Sequence, residues 1–510
     1  MRYGFVIDQR KCIGCHACTV ACKEENQVPL GAFRTWVKYV ERGTFPHTRR
    51  YFAVLRCNHC DQAPCVTICP TLALFRRPDG IVDLDGARCI GCKSCMQACP
   101  YDALYIDPAS HTAAKCHYCA HRLEVGLEPA CVVVCPEQAI IAGNLDDPRA
   151  PIARLLATEQ VQVRKPEQGT RPKVFYVGAD AATLTPSLQA PARQYMFAQR
   201  TGEELSLVNM VTSLAPTAPE ADSTLGRPVY DAPHVRRPWG WKVSTYLWTK
   251  SIAAGSLLVA ALGLMLGHAD GGWLSGTIAS ALALLFLVLT TGLLIFDLKR
   301  PDRFHLILFK PNGHSWLVWG TWILIVFGAV AALWLLGALT GHVGLLRVLA
   351  IPAVLLAVGA AGYSAFLFGQ AEGRDFWQSP LLLPQLVAAA GVAGIAALVV
   401  AEFLGRGDPD AIGVLAGYLG VVLVAHAVLL LAELTAVHPS VEAGRAARLL
   451  THGGLRWRFW GGAVVGGLVI PLALVWLTPA GTVAAAVLAL AGLWLWEDLW
   501  VRAGQAIPLS

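Results

Sequence analysis

The sequence has no cysteine before position 12 and none after position 135, although it runs to 510 residues and holds 16 of them. A disulfide network tying the whole chain together is therefore excluded. Charge is scarce as well: Asp, Glu, Lys and Arg make up 15% of the chain against 55% for hydrophobic residues. That balance is too apolar for one soluble domain of this length. The shortage is uneven. Residues 1–235 carry most of the charge, whereas residues 245–500 are dominated by long apolar runs. The N-terminus, MRYGFVIDQRKC, lacks an apolar h-region, a twin arginine and a small-residue cleavage site, so no export signal is expected. Thiolates that bind metal are then favoured over disulfides, which need an oxidising compartment. Histidine is scarce inside the apolar runs themselves. Only His426 lies deep in a run, while His268, His305, His314, His438 and His452 lie near ends or in loops. A haem held in the membrane by two facing histidines is excluded on that ground. The net charge of +6 fits membrane-flanking arginines better than a nucleic-acid partner.

What is present is four cysteine quartets. CIGCHACTVAC holds Cys12, Cys15, Cys18 and Cys22, and CNHCDQAPCVTIC holds Cys57, Cys60, Cys65 and Cys69. CIGCKSCMQAC holds Cys89, Cys92, Cys95 and Cys99. The fourth opens at CHYC with Cys116 and Cys119 and closes at CVVVC with Cys131 and Cys135. Each opens as C-x2-C and closes as C-x3-C. Pro70, Pro100 and Pro136 follow three of the closing cysteines, and Lys23 follows the other. Taken alone, Cys12 to His16 reads as C-x-x-C-H, the attachment signature of a c-type haem. Its companions carry the ferredoxin spacing instead. Structural zinc favours two separated pairs rather than this pattern. Three closely spaced thiolates wrap one face of a cubane, and the fourth, expected at the start of a helix, serves a neighbouring cluster. Sixteen cysteines at four per cubane leave none over, which predicts four [4Fe–4S] clusters and no [3Fe–4S] centre. His16, His59 and His117 read as polar loop residues beside the sulfurs.

MRYGFVIDQRKCIGCHACTVACKEEN, with GLEPACVVVCPEQAI and the NLDDP run after it, resembles the electron-transfer subunit of the complex iron–sulfur molybdoenzyme (DMSO reductase) family over about residues 1–180. That family includes polysulfide, tetrathionate and dimethyl sulfoxide reductases. The resemblance implies two ferredoxin-like folds related by pseudo-twofold symmetry, with the clusters in a row. It also implies crossed ligation. Cys12, Cys15 and Cys18 would share a cluster with Cys135, and Cys116, Cys119 and Cys131 with Cys22. Cys57, Cys60 and Cys65 would share one with Cys99, and Cys89, Cys92 and Cys95 with Cys69.

Residues 181–240, as in SLAPTAPEADSTLGRP, are rich in Ala, Pro, Thr and Ser. They are expected as an extended linker with one short helix around 199–213. From 241 to 510 there are eight apolar runs long enough for a ~30 Å hydrocarbon layer. They lie near 245–267, 274–296, 315–338, 347–370, 381–403, 412–436, 460–477 and 480–499. The fold expected is thus α+β followed by an all-α membrane bundle of eight helices. With eight spans both ends share a side. On it fall Arg236, Arg237, Lys242, Lys250, Lys299, Arg300, Arg303, Lys310, Arg374, Arg445, Arg448, Arg456, Arg458 and Arg502, against Arg347 and Arg406 opposite. The positive-inside rule then predicts an inner (cytoplasmic) membrane protein with its iron–sulfur domain in the cytoplasm.

WGWKVSTYLWTKSIAAGS, FDLKRPDRFHLILFKPNGHSWLVWG and GYSAFLFGQAEGRDFW resemble the polysulfide reductase membrane subunit, the NrfD family. That family binds a quinone, menaquinone or ubiquinone, between helices near the iron–sulfur side, and most members carry no haem. The resemblance points to Tyr246 and Tyr363 as quinone contacts. Tyrosines are also common in the interfacial belt. Asp297, Arg300 and Arg303 follow the second span and read as headgroup or proton-entry residues, or as membrane-edge anchors. Lys250, Glu402, His426 and Glu433 are ionisable groups at or within spans. His426 and Glu433, seven apart, share a helix face and are candidates for a proton path or for an interhelical hydrogen bond. Glu402, on the far side, is the one pointer to ion pumping.

The expected function is an electron-transfer and membrane-anchor subunit. It links the quinone pool to a molybdenum or tungsten bis-pterin catalytic subunit through four [4Fe–4S] clusters, and quinone reduction by a cytoplasmic partner suits the predicted topology. One alternative is a quinol-oxidising module feeding a periplasmic reductase or multihaem cytochrome. An alternative of another class is a structural or sensing metalloprotein without turnover.

Overall fold

The computed structural model describes residues 1–44, 46–190, 225–232, 238–477 and 481–510. They form two compact units, Met1–Arg236 with Pro508–Ser510 and Arg237–Ile507.

The first unit is α+β. Its described strands are β1 (Tyr3–Asp8), β2 (Thr35–Arg42), β3 (Arg49–Arg56), β4 (Leu74–Arg76), β5 (Val82–Leu84), β6 (Leu104–Ile106), β7 (Ala113–Lys115), β8 (Ile140–Asn144), β9 (Val161–Gln162), β10 (Val174–Val177) and β11 (Arg227–Tyr230). The main sheet has the order β8-β1-β10-β9. In it β1 runs parallel to β10, with Phe5 opposite Val174, and antiparallel to β8, with Phe5 opposite Ala142. Phe5, Val6 and Ile7 are all fully buried, as a central strand covered on both faces requires. Two short hairpins, β4–β5 and β6–β7, follow the second and third quartets. They are the repeated halves of the ferredoxin-like arrangement. One apolar core gathers around the cysteines of the second and third quartets with Leu74, Val82, Tyr101 and Leu104. A second gathers Phe5, Ile7, Val37 and Tyr118 around Cys18 and Cys131.

The stretch expected as an extended linker is partly built into this unit. Asp180 caps the turn Ala181–Leu184 by accepting from the Ala182 amide. Ala190 N donates to Gly226 O at 2.8 Å. β11 then pairs with β2, where Glu41 binds both Arg50 and Arg227. The helix expected around 199–213, and Arg236 and Arg237, lie outside the described residues.

The second unit is helical. Among the described residues eight helices are long and apolar enough to cross a membrane: span 1 (Trp241–Met265), span 2 (Trp273–Asp297), span 3 (Trp316–Leu339), span 4 (Val343–Gly369), span 5 (Leu382–Gly405), span 6 (Pro409–Thr435), span 7 (Arg458–Leu477) and span 8 (Thr482–Ala506). Spans 1, 5 and 8 are the most enclosed by the others. Spans 1 and 5 meet at glycines. A Cβ on Gly255 would stand 1.7 Å from the carbonyl oxygen of Ala390, and one on Gly394 would stand 2.1 Å from the Gly255 carbonyl carbon. Only hydrogen fits there, and the two backbones touch, as small-residue helix contacts in membranes allow. Spans 7 and 8 repeat the device at Gly467 and Gly492.

Two expectations change. Span 8 runs to Ala506, beyond the expected end at 499, and so adds Arg502 to the Glu497 and Asp498 already expected within it. Lys250, counted among the flanking basic residues, is 1% exposed inside the bundle and anchors no membrane edge.

Candidate functional site

None of the sixteen cysteines is in a disulfide. The closing cysteine of each quartet was expected at the start of a helix, but it lies at the end of one. Cys22 sits in the second half of the helix Ala17–Glu25. Cys69, Cys99 and Cys135 follow the short helices Pro64–Thr67, Ser94–Ala98 and Ala130–Val133. The reason lies in the spacing. C-x3-C is about one helical turn, and a following proline drives the residue before it out of the helical region. Cys99, ahead of Pro100, is extended at φ −75°, ψ 116°.

The opening C-x2-C turns share a second feature. Their third residue has a left-handed backbone in every quartet: Gly14 at φ 74°, His59 at 44°, Gly91 at 68° and Tyr118 at 63°. Glycine takes this conformation freely, whereas His and Tyr are strained there. Both strained residues are pinned. His59 Nδ1 accepts from the Val82 amide at 3.2 Å. Tyr118 Oη donates to Gly4 O at 2.6 Å and accepts from the Gly143 amide.

Folding brings the quartets together across each other. Cys22, Cys116, Cys119 and Cys131 line one cavity enclosing ≈ 310 Å³ of empty space. Cys69, Cys89, Cys92 and Cys95 line another of ≈ 330 Å³. Cys12 stands within electrostatic reach of Cys15, Cys18 and Cys135, and Cys57, Cys60 and Cys65 of Cys99. Neighbouring groups come within electrostatic reach through Cys18 and Cys131, Cys116 and Cys57, and Cys95 and Cys65. Among the described residues no three His, Cys, Asp or Glu side chains close on a single ion.

Burial first, and neighbouring thiols second, push Cys18 up to about 11 and Cys116 up to about 12. Thiolates packed this closely need a compensating cation, and bound iron supplies one. Amides of Leu74, Ala113, Tyr118 and Ala139 already donate to Cys69, Cys89, Cys116 and Cys135 Sγ. The quartets therefore fit iron–sulfur clusters.

Arg56, on β3 beside Cys57, escaped sequence analysis. It is 1% exposed, and its Nη1 donates to Cys131 Sγ at 3.1 Å. Its guanidinium lies 4.4 Å from the centre of the Phe5 ring. Burial opposes its charge, but Cys131, Cys116 and Cys18 outweigh that and hold it cationic. Nε and Nη2 are buried without a hydrogen-bond partner. An anionic cluster in the adjoining cavity answers both orphaned donors. The signal was there in AVLRC, an arginine set in an apolar strand one residue before a ligand. His16 Nε2 meets Tyr39 Oη at 2.9 Å. Burial pushes His117 down to about 4, which leaves it a neutral neighbour of the sulfurs.

In the helical unit, Tyr246 and Tyr363 are both 4% exposed and come together around Lys250. Lys250 Nζ donates to Ala361 O at 2.8 Å and to Ser364 Oγ at 2.7 Å, and it lies 4.7 Å from the Tyr363 ring centre. Asp297 is within electrostatic reach of Tyr246. Arg300 instead forks onto Asp302 at 3.0 and 2.9 Å, with Arg303 on the same carboxylate. His426 and Glu433 are both buried on span 6 in different surroundings. Glu433 Oε2 accepts from Ser379 Oγ and Gln385 Nε2, while His426 Nδ1 has no partner. Glu402 Oε1 accepts from the Asp408 amide at 3.3 Å, a local closure of the turn after span 5.

Against known proteins, residues 232–508 match the family described as "Polysulphide reductase, NrfD". This chain belongs to the NrfD family. Ahead of the NrfD region, residues 48–145 match a 4Fe-4S dicluster domain and residues 10–26 a 4Fe-4S binding domain. The B subunit of tetrathionate reductase from Salmonella typhimurium is 50% identical over 189 residues, 36% of this chain and 76% of that protein. Protein NrfC of Escherichia coli is 45% identical over 180 residues, 35% and 81% of the two chains. The B chain of polysulfide reductase from Wolinella succinogenes is 41% identical over 184 residues, 34% and 94%. This NrfD protein is thus an iron–sulfur electron-transfer region fused to a multi-pass membrane domain, of a kind found in reductase complexes.

Proposed function

We propose that this chain passes electrons between the membrane quinone pool and a molybdenum or tungsten bis-pterin catalytic subunit, through four [4Fe–4S] clusters. The observation that carries the reading is the crossed grouping of the thiols, three consecutive cysteines with the closing cysteine of another quartet, in a chain with an NrfD domain. Cys12, Cys15, Cys18 and Cys135 hold one cluster, and Cys22, Cys116, Cys119 and Cys131 the next. Cys57, Cys60, Cys65 and Cys99 hold a third, and Cys69, Cys89, Cys92 and Cys95 the fourth. The electrostatic reach from each group to the next supports a row in that order. Bound clusters supply one-electron carriers; the chain's part is to hold them, bury them and donate to their sulfurs. Cys15 is exposed and Cys12 and Cys135 are half-buried, so the first cluster is the natural exchange point with the catalytic partner. The reductase names of the relatives support such a partner.

The functional division is residues 1–180 for the wire, 181–240 for the connector and 241–510 for the quinone domain. Tyr246 and Tyr363 offer hydroxyls to a quinone headgroup, with Asp297 beside them. Arg300, engaged by Asp302, sits at the rim. His426 and Glu433 belong to a proton route on span 6. Two electrons and two protons are exchanged per quinone, and no haem takes part. The basic loops support placement of the iron–sulfur domain in the cytoplasm, with electrons flowing toward quinone.

Purification of the tagged chain in mild detergent, with mass spectrometry of its partners and metal analysis, tests the reading. A molybdopterin subunit together with about sixteen irons, four for each of four cubanes, is the expected result. A multihaem cytochrome in its place would move the clusters across the membrane and overturn the cytoplasmic assignment.

A further inference from the structure

Span 8 carries two adjacent acids inside the bundle, and the structure treats them differently. Asp498 is fully engaged: Arg502 Nε lies 2.6 Å from its Oδ2, and Ser244 Oγ donates to its Oδ1 at 3.2 Å. Glu497 is 4% exposed, and the Ser251 hydroxyl and the charge of Lys250 act on it. A carboxylate buried in a membrane helix carries a large desolvation cost and marks function.

Glu497 faces a cavity. Leu247, Leu382, Leu386, Trp496 and Trp500 wall it, and Gln385 and Glu497 are its two side chains with polar ends. It has room for about one water. Across the cavity Gln385 Nε2 donates to Glu433 Oε2 at 3.4 Å, and Glu433 meets Ser379, ahead of span 5. On its other side Glu497 faces Lys250, which lies against Tyr363 and within reach of the Tyr246 pocket. These groups occupy the end of the bundle where span 1 begins and spans 4, 6 and 8 finish, here called the proximal end.

We propose that Lys250 and Glu497 form a proton relay that joins the quinone contacts to the proximal end of the bundle, with Glu433 as its outlet. The proposal rests on the quinone reading above and gives it a proton route through residues of spans 1, 8 and 6. When quinol is oxidised, two electrons go to the clusters one at a time, and two protons must reach water. The Lys250 ammonium gives a proton to the Glu497 carboxylate, so an N–H bond breaks and an O–H bond forms. The Lys250 amine then takes the next proton from the quinol side. The Glu497 acid releases its proton through water in the cavity to the Glu433 carboxylate and on past Ser379. Quinone reduction runs the same transfers backwards. Gln385 is a positioning residue that holds Glu433. Asp498 is neutralised by Arg502, and His426 lies deeper on span 6, off this line.

The test uses the full-length, cluster-loaded protein with menadiol and decylubiquinol as probes. It follows cluster reduction optically, quinone affinity separately, and redox-induced infrared difference bands. Glu497→Gln is expected to slow cluster reduction at least tenfold, to raise its solvent deuterium isotope effect and to leave the quinone Kd within twofold. Glu497→Asp recovers most of the rate. Wild type shows a carboxylic acid band that shifts in heavy water and is missing from Glu497→Gln. Glu402→Gln, at the opposite end, keeps the wild-type rate. A Glu497→Gln rate within twofold of wild type overturns the relay while leaving the quinone reading standing. A tenfold rise in quinone Kd in Glu497→Gln also overturns it, by making the carboxylate a headgroup contact. Wild type that neither binds nor exchanges electrons with either quinol overturns the quinone reading, and the relay falls with it.

Discussion

Arg56 Nη1 donates to Cys131 Sγ at 3.1 Å, and its Nε and Nη2 are buried with no hydrogen-bond partner among the described residues. A cation fixed against a cluster ligand favours the more negative, reduced cluster. Arg56→Met is therefore expected to lower one midpoint potential. A hydrogen bond to a charged group contributes about 1.5–3 kcal/mol. At 59 mV per tenfold for one electron, that corresponds to a drop of about 60–130 mV. A potentiometric titration read by electron paramagnetic resonance checks it. Midpoints that all stay within 20 mV or so of wild type, well below that range, would remove Arg56 from the tuning of the wire.

Crossed ligation makes a pairwise prediction. Cys69→Ala and Cys89→Ala should abolish the same resonance signal, because both side chains line one cavity. Cys99→Ala should abolish a different one, shared with Cys65→Ala. Each variant loses about four irons, one cubane's worth. If Cys69→Ala instead matched Cys65→Ala, its neighbour within one quartet, the quartets would act separately.

Tyr246→Phe and Tyr363→Phe each remove one hydroxyl from the pocket around Lys250. At roughly 0.5–1.5 kcal/mol per neutral hydrogen bond, each should weaken quinone binding by about two- to tenfold and leave iron content intact. Titration with a fluorescent quinone analogue measures it. Unchanged affinity in both would make them belt tyrosines.

Gly255→Ala should be badly tolerated. Its Cβ would overlap the Ala390 carbonyl, and backbone there cannot step aside without parting spans 1 and 5. Overpacking of this kind costs about 1–3 kcal/mol or more. The thermal transition in detergent is expected to fall by several degrees, whereas Gly344→Ala, with open space around it, should leave it unchanged.

The iron–sulfur half was largely legible because ligand chemistry forces spacing. Cys12, Cys15 and Cys18 announce themselves without any knowledge of the fold, and the eight apolar runs needed only their length. Helix position differs at Cys69 and Cys99, where the proline after each cysteine ends a helix rather than following the first residue of one. Arg56 was hidden because its meaning depends on Cys131, 75 residues away. Glu497 was hidden for a related reason. It lies near the end of the last apolar run, and only packing beside Lys250 of span 1 shows its place inside the bundle. Tyr246 and Tyr363 were nameable from resemblance, but Lys250 between them became central only once spans 1 and 4 were side by side.

The most direct test of the central claim is iron and acid-labile sulfide analysis of the purified full-length chain, with Mössbauer spectroscopy of the same sample. The account predicts about sixteen of each per chain, all in [4Fe–4S] form, four irons to each of four cubanes. About eight irons, or zinc in place of iron at the quartets, would contradict it.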